Sequence, residues 1–184
     1  MRMNRKRWSL WELTTDLLLK IFVKDFKNIK DFKVRTAYGY LEGWVSIILN
    51  IALFCIKFII GRVLNSISLI ADSFHTLSDV VTSVVVVVGF KVSSMPADKE
   101  HPYGHARVET ISTVVIAVLL FVVGLGFLKQ SIDRIIKPQI VPGNMLFILI
   151  ILASAVIKEW MAAFSFILGK RIESSTLKAD GWHH

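Results

Sequence analysis

Three ionisable side chains stand in the apolar segment ISLIADSFHTLSDVVTSVVVVV, where burying each of them is costly. Asp72, His75 and Asp79 are three and four positions apart. At about 100° per helical residue, this spacing gathers them in a stripe about 60° wide. Imidazole and carboxylate together suit a zinc ion in tetrahedral geometry, and a divalent cation would balance the buried charge. A hydrogen-bonded network between packed helices, without a metal, is the alternative.

The last residues, LKADGWHH, contain a second pair of such side chains. Asp180 and His183 are three positions apart, so a helix presents both on one side. A tetrahedral site needs four ligands, and His75 with Asp79 supply only two. His183 is therefore a candidate for the third. A remnant of a purification tag is the other explanation for histidines at the end of a chain.

The segments that carry these residues are apolar enough to cross a bilayer. Of the 184 residues 54% are hydrophobic, and the mean hydropathy is +0.59. Apolar runs cover about residues 40–60, 67–92, 108–128 and 144–168, and an incomplete one occupies 176–184. A bilayer core about 30 Å thick takes about 20 helical residues, and an open sheet cannot satisfy its backbone there. We predict an all-α integral membrane protein, an antiparallel transmembrane helix bundle with four complete spans and the start of a fifth.

The basic residues indicate the orientation of this bundle rather than a nucleic-acid partner. The formal charge is +8, but ten of the 22 Lys and Arg residues lie in the first 36 positions and the others mainly between apolar runs. The side that holds the N-terminus carries most of them, as expected of cytoplasmic segments. We expect a multi-pass protein of the cell membrane with a cytoplasmic N-terminus. Residues 1–36 are predicted to form a basic amphipathic helix on the membrane surface, with a poorly ordered tail as the alternative.

Three motifs, ADSFHTLSD, PADKEHPYGHARVE and LKADGWHH, closely resemble those of the cation diffusion facilitator family of metal/proton antiporters. The resemblance covers about residues 36–184, and the motifs follow the family's order and topology. Residues 37–184 are accordingly expected to be part of the family's transmembrane domain. In that family a His-x-x-x-Asp pair on the second helix meets another on the fifth, and together they form the transport site.

Matched to that pattern, His75 and Asp79 are the first pair and His183 begins the second. The family's last Asp would fall four residues after His183, beyond the final residue. Asp72 and Asp180 are expected to lie beside the ligands and support them rather than to bind the metal.

The resemblance also implies a second metal site in the polar connector 93–107. Asp98, His101 and His105 match positions that bind another metal ion in relatives, and a loop His-x-x-x-His with a nearby Asp is a reasonable zinc cluster. A turn whose histidines cap the third helix is the alternative. Arg107 matches a basic position that helps to pair protomers, with a lipid-headgroup contact as the alternative.

The activity that the resemblance implies is efflux of a divalent metal ion, most directly zinc, by proton antiport. His75 resembles the zinc-transporting branches, since sites made of carboxylates alone favour harder ions such as manganese. Iron, cobalt, cadmium and manganese are the other candidate substrates. Because metal ligands must be deprotonated, metal and protons compete for them. An enzyme is not expected, because the sequence has no His-Glu-x-x-His motif for a metal-bound water.

The family pattern has six spans, usually followed by a soluble domain that dimerises, whereas this sequence stops in the fifth span. We therefore expect a truncated member, one that forms a homodimer when full length. The alternative to efflux is a non-transporting membrane fragment that binds metal or associates with a full-length copy.

Overall fold

The chain is described by a computed structural model for residues 5–136 and 145–184. Within these residues all regular structure is helical: α1 (Arg5–Phe22), α2 (Phe32–Val63), α3 (Ile67–Ser93), α4 (Val108–Ile136), α5 (Met145–Arg171) and α6 (Ser175–His183). Residues 1–4 of the predicted N-terminal segment and Asn144, the first residue of the predicted fourth span, lie outside the described residues.

Four of the described helices are long and apolar enough to cross a membrane. They are Phe32–Val63, Ile67–Ser93, Val108–Asp133 and Ile148–Arg171, with 32, 27, 26 and 24 residues. At 1.5 Å per residue, even the shortest extends about 36 Å, which exceeds a hydrocarbon core of about 30 Å. The short α6 follows them and packs against α3, α4 and α5. The prediction of an all-α membrane helix bundle is confirmed.

The first helix precedes the bundle and is amphipathic. Leu10, Leu13 and Leu17 are exposed on one side, whereas Thr15 and Leu19 are buried on the other. This exposed apolar row is typical of a helix that lies against lipid. Two polar contacts with α5 hold α1 in place: Trp160 Nε1 donates to Thr14 Oγ1 at 3.1 Å, and Arg171 Nη1 lies 2.5 Å from Asp16 Oδ1.

The most extensive helix pair, α2 with α3, depends on small residues at its contact surface. Gly39 lies under the ring of Phe90, and Gly43 lies against Val87. Residue numbers increase along α2 from Gly39 to Gly43 while those of their partners on α3 decrease from Phe90 to Val87, so the two helices are antiparallel. Small residues allow helix backbones to approach closely, which is the main source of packing energy between membrane helices.

The helices that carry the ADSFHTLSD and LKADGWHH motifs begin in the same way. Asn65 and Glu173 adopt φ of 48° and 54°, which ends the preceding helix. The next residue, Ser66 or Ser174, donates its N–H to the carbonyl five residues back, at 2.9 Å in both cases. The same two serines then cap the new helix through their hydroxyls, each accepting an N–H bond at 3.3 Å. This helix-ending turn followed by a serine cap fixes where α3 and α6 start, and hence which side chains face the interior.

Replacing Gly39 with alanine should destabilise the bundle, because the new Cβ would lie 2.1 Å from Phe90 Cγ. Relief of this overlap requires the helices or the ring to move, at a cost of about 1–3 kcal/mol. Thermal unfolding in detergent, followed by circular dichroism, should show a lower midpoint for Gly39→Ala.

Gly124→Ala in α4 is the matched control, because a Cβ at that position would meet nothing within 4 Å. Alanine there should leave the midpoint unchanged or raise it slightly through helix propensity. Equal midpoints for the two variants would show that the α2–α3 contact is not close-packed.

Candidate metal centre

Asp79, in the middle of α3, is the centre of a polar cluster inside the bundle. Asp79 is only 5% exposed, and the helix around it is largely apolar. One carboxylate oxygen, Oδ1, lies 3.0 Å from Nε2 of His183 on α6. The predicted residues Asp79 and His183, 104 positions apart in the chain, are therefore in direct contact.

The other oxygen of Asp79 accepts a hydrogen bond from a lysine of α5. Lys158 Nζ lies 2.7 Å from Asp79 Oδ2 and 2.8 Å from Asn50 Oδ1 of α2. It also lies 3.5 Å from Nδ1 of His184. The ammonium thus balances the buried carboxylate. The sequence contained a signal for Lys158, since a lone lysine inside an apolar span marks a polar interior, but no role was predicted for it.

His75 faces the same cavity as Asp79 and His183 but is not in the same contact group. A cavity of about 280 Å³ is lined by all three residues, together with Lys158. The ring of His75 packs edge-on against Phe127 of α4, with the ring centroids 4.8 Å apart. In the described part of the chain, His75 belongs to no group of three ligand residues whose ligand atoms lie within 4.8 Å of one another.

Asp72 pairs with a different cation from Asp79. Its Oδ2 lies 2.9 Å from Nζ of Lys57 in α2, and the same ammonium donates to Thr76 Oγ1 at 3.0 Å. Asp72 also lines the cavity beside His75. The α2 lysine therefore neutralises Asp72 at the edge of the cavity, about two turns of α3 away from Asp79.

An ion pair at the start of α4 holds α6 in position. Both carboxylate oxygens of Glu109 lie 2.8 Å from Arg35 Nη2, and Arg35 Nη1 also donates to the carbonyl of Ile172. The hydroxyl of Ser174, the cap of α6, donates to Glu109 Oε1 at 2.6 Å. Arg35 and Glu109 thus connect α2, α4 and the turn before α6. The position of His183 depends on this connection, because it fixes the start of the helix that carries His183.

The loop between α3 and α4 brings the other three predicted ligands together. Asp98 Oδ1 lies 3.4 Å from His101 Nδ1, Asp98 Oδ2 lies 3.6 Å from His105 Nε2, and the two imidazole centroids are 4.5 Å apart. Gly104, at φ +78°, makes the turn that folds His105 back toward Asp98. All three ligand atoms lie within 4.8 Å of one another.

Hydrogen bonds to the backbone prepare this loop cluster for a cation. The His101 N–H donates to Asp98 Oδ1 at 2.6 Å, and this bond holds the pKa of the Asp98 carboxyl below its usual value. Asp98 is therefore an anion at neutral pH. His105 Nδ1 lies 3.2 Å from the carbonyl of Pro96, which can only accept, so Nδ1 is the protonated nitrogen. With Nδ1 engaged by this carbonyl, Nε2 is the nitrogen that faces Asp98 and is left for a metal. Arg107 lies exposed just before α4.

A second group of potential metal ligands joins Asp180, which was expected to lie beside the transport site, to Glu42 and His184, which were not predicted from the sequence. Glu42 of α2, Asp180 of α6 and His184 also bring their ligand atoms within 4.8 Å of one another. Glu42 is the acidic residue of an otherwise apolar stretch of α2, which was its signal in the sequence. Its partners could not be identified from the sequence, because they lie on another helix.

Comparison with known proteins assigns the chain to a family of transporters. Residues 43–184 match the model of the cation efflux transmembrane domain. The chain belongs to this family of cation efflux transporters.

The curated relatives include proteins from all three domains of life. An uncharacterised transporter of Methanocaldococcus jannaschii is 41% identical over 76% of this chain and 50% of its own length. The manganese efflux system protein MneS of Bacillus subtilis is 33% identical over 77% and 49%. Metal tolerance protein C1 of Arabidopsis thaliana is 30% identical over 73% and 32%. The chain thus spans half or less of the length of these relatives.

Replacing Glu109 with glutamine should loosen α6, because the neutral amide cannot form the charged, two-oxygen contact with Arg35. Loss of a charge-assisted hydrogen bond at a partly buried site costs about 2 kcal/mol. We expect a lower unfolding midpoint and faster hydrogen exchange in α6 than in α2. Glu12→Gln, on the exposed side of α1, should change neither quantity. Unchanged exchange in α6 of Glu109→Gln would show that the ion pair does not hold that helix.

Proposed function

We propose that this protein exports a divalent metal ion, most directly zinc, in exchange for protons, with His75, Asp79 and His183 as the metal ligands. The observation that carries the proposal is the contact between Asp79 and His183 at the wall of the cavity that His75 also lines. Two separate helices, α3 and α6, supply the ligands. A relative movement of these helices therefore opens or closes the ligand set, as transport through alternating access requires.

In this proposal Lys158 is the cation that balances Asp79 when no metal is bound. Its ammonium and an arriving metal ion compete for the same carboxylate group and repel each other, so the metal displaces Lys158 from Asp79. Asn50 Oδ1, 2.8 Å from Nζ, keeps a hydrogen bond for the displaced ammonium. His75 leaves Phe127 and turns into the cavity to complete the set. The buried carboxylate is paired in both states, which lowers the energy difference between them.

Proton exchange follows from the chemistry of the ligands. An imidazole binds metal only through an unprotonated nitrogen, and it titrates near neutral pH. Protonation of His75 and His183 on one side of the membrane therefore releases the metal there. Loss of those protons on the other side restores the site. The movement of metal in one direction is thereby coupled to the movement of protons in the other, and no side chain besides the metal ligands is required.

Zinc is proposed ahead of manganese because of the imidazoles. Two nitrogen ligands and one carboxylate suit zinc, whereas manganese favours sites made of oxygen ligands. Two of the relatives carry manganese efflux in their names, which makes manganese the rival substrate. The exposed cluster of Asp98, His101 and His105 is proposed as a separate cytoplasmic metal site.

The arrangement in the membrane is also part of the proposal. We place the N-terminus and the 93–107 loop on the cytoplasmic side, where most of the basic residues lie. Residues 37–184 act as the transmembrane domain, and a homodimer is its working form, with Arg107 helping to pair the protomers. A membrane protein that binds metal without moving it, or that associates with a full-length transporter, is the alternative.

Asp79→Asn should abolish zinc-driven proton movement in proteoliposomes, because the amide cannot balance a divalent cation. With a pH-sensitive dye inside the vesicles, we expect the flux to fall at least tenfold. Asp133→Asn, at the exposed end of α4, is the matched control and should retain the flux. Equal fluxes in the two variants would refute the assigned site. Zinc binding without flux in the unaltered chain would favour metal binding without transport.

His75→Asp should change the preference among metals, because it replaces a nitrogen ligand with an oxygen ligand. The ratio of zinc to manganese transport, measured in vesicles loaded with a dye for each ion, should fall about tenfold. Each metal serves as the internal control for the amount of folded protein. If the ratio stays constant while both rates remain high, His75 is not a ligand.

A further inference from the structure

Glu42, Asp180 and His184 form a buried group that the transport site does not use. Glu42 and Asp180 are each 0% exposed, and so is the side chain of His184. His184 Nε2 lies 3.1 Å from Asp180 Oδ2. The carboxylate of Glu42 on α2, the carboxylate of Asp180 on α6 and the imidazole of His184, the residue after α6, therefore converge in the interior of the bundle.

The oxygens of this group are incompletely bonded. Glu42 Oε1 accepts hydrogen bonds from Ser165 at 2.5 Å and from Ser46 at 3.3 Å. Glu42 Oε2 and Asp180 Oδ1, by contrast, have no hydrogen-bond partner among the side chains that the structure describes. A buried polar atom without a partner loses its hydrogen bonds to water and gains none in the protein, which costs about 1–3 kcal/mol of folding free energy, and more when the atom is charged. A cation, or a proton shared between the two carboxyl groups, would remove this cost.

The cation nearest to the group is already engaged. Lys158 Nζ lies 3.5 Å from His184 Nδ1, but its two shorter hydrogen bonds go to Asp79 and Asn50. The two carboxylates of the group consequently lack a lysine or arginine of their own within the described residues. Asp180 has only the imidazole of His184 beside it and Glu42 has only hydroxyl donors, so a bound cation would serve both carboxyl groups at once.

We propose that Glu42, Asp180 and His184 bind a second divalent transition-metal ion within the bundle. Bonds of about 2.0–2.2 Å in a tetrahedral site place ligand atoms about 3.3–3.6 Å apart. The three ligand atoms already lie within 4.8 Å of one another, so small side-chain rotations close the set. The hydroxyl of Ser46, 3.3 Å from both Glu42 Oε1 and His184 Nε2, is in position for the fourth ligand.

This second site is separate from Asp79 but adjacent to it. Glu42 lies eight residues before Asn50 on α2, about 12 Å nearer the end of the bundle where α2 begins. His184 connects the two, because one of its ring nitrogens faces Asp180 and the other faces Lys158. An ion held at this second site lies between that end of the bundle and the transport site. Metal binding at the second site can be measured without any transport assay, so the test of this site does not depend on the proposed transport function.

Zinc stoichiometry tests the proposal directly. The purified chain in lipid nanodiscs is dialysed against buffered zinc, and the bound metal is counted by mass spectrometry. Glu42→Gln should lose one zinc per chain relative to the unaltered chain, and Asp79→Asn should lose a different one, so the double variant loses two. Glu159→Gln, an exposed glutamate on α5, is the matched control and should lose none.

Cobalt(II) provides a second measurement that does not rely on counting. Its visible absorption in a tetrahedral site of oxygen and nitrogen ligands should be weaker in His184→Gln as well as in Glu42→Gln. Circular dichroism and size exclusion establish that each variant is folded. If one variant does not fold, the other still tests the site.

The outcomes separate the two proposals. If Asp79→Asn loses one zinc and folded Glu42→Gln and His184→Gln lose none, the second site is refuted and the transport site stands. In that case Glu42 and Asp180 hold a shared proton instead of a metal ion. If Glu42→Gln loses one zinc and Asp79→Asn loses none, the second site stands and the assigned transport ligands are wrong.

Discussion

The interior of this bundle depends on pairing a buried carboxylate, Asp79, with a lysine and an imidazole supplied by other helices. Hydrocarbon cannot solvate a charge, so the carboxylate is tolerable only where positive groups meet it. Lys158 of α5 and His183 of α6 meet its two oxygens separately. Three helices are thus held at one point by an ion pair and hydrogen bonds, in addition to the close packing of their small residues.

The polar interior extends from this point along a continuous path. Lys158 leads to His184, His184 to Asp180, and Asp180 to Glu42, through four helices and the residue that follows α6. The path is compatible with a stable bundle because the outer surface remains apolar, as in the exposed side chains of α4. At the end of the bundle where α2 begins, Arg35 and Glu109 anchor α6 and so keep the path in register.

The loop cluster follows different physical rules from the buried groups. Asp98 is exposed to water, and main-chain N–H groups, rather than a buried cation, stabilise its charge. The loop geometry is set locally by Gly104 and by the His105 contact with Pro96. Its ligands were therefore recognisable from neighbouring positions in the sequence, although whether they bind a metal stays a prediction.

The sequence alone determined the class of the protein, its spans and most of the candidate ligands. The length and hydropathy of each apolar segment determine whether it inserts into the membrane. Helical periodicity places His75 one turn from Asp79. Only the tertiary structure decided the partners: it placed Lys158 on Asp79, turned His75 toward Phe127, and brought Glu42 to Asp180 and His184. These contacts join residues far apart in the chain, so they depend on helix packing and rotation, which no local pattern encodes.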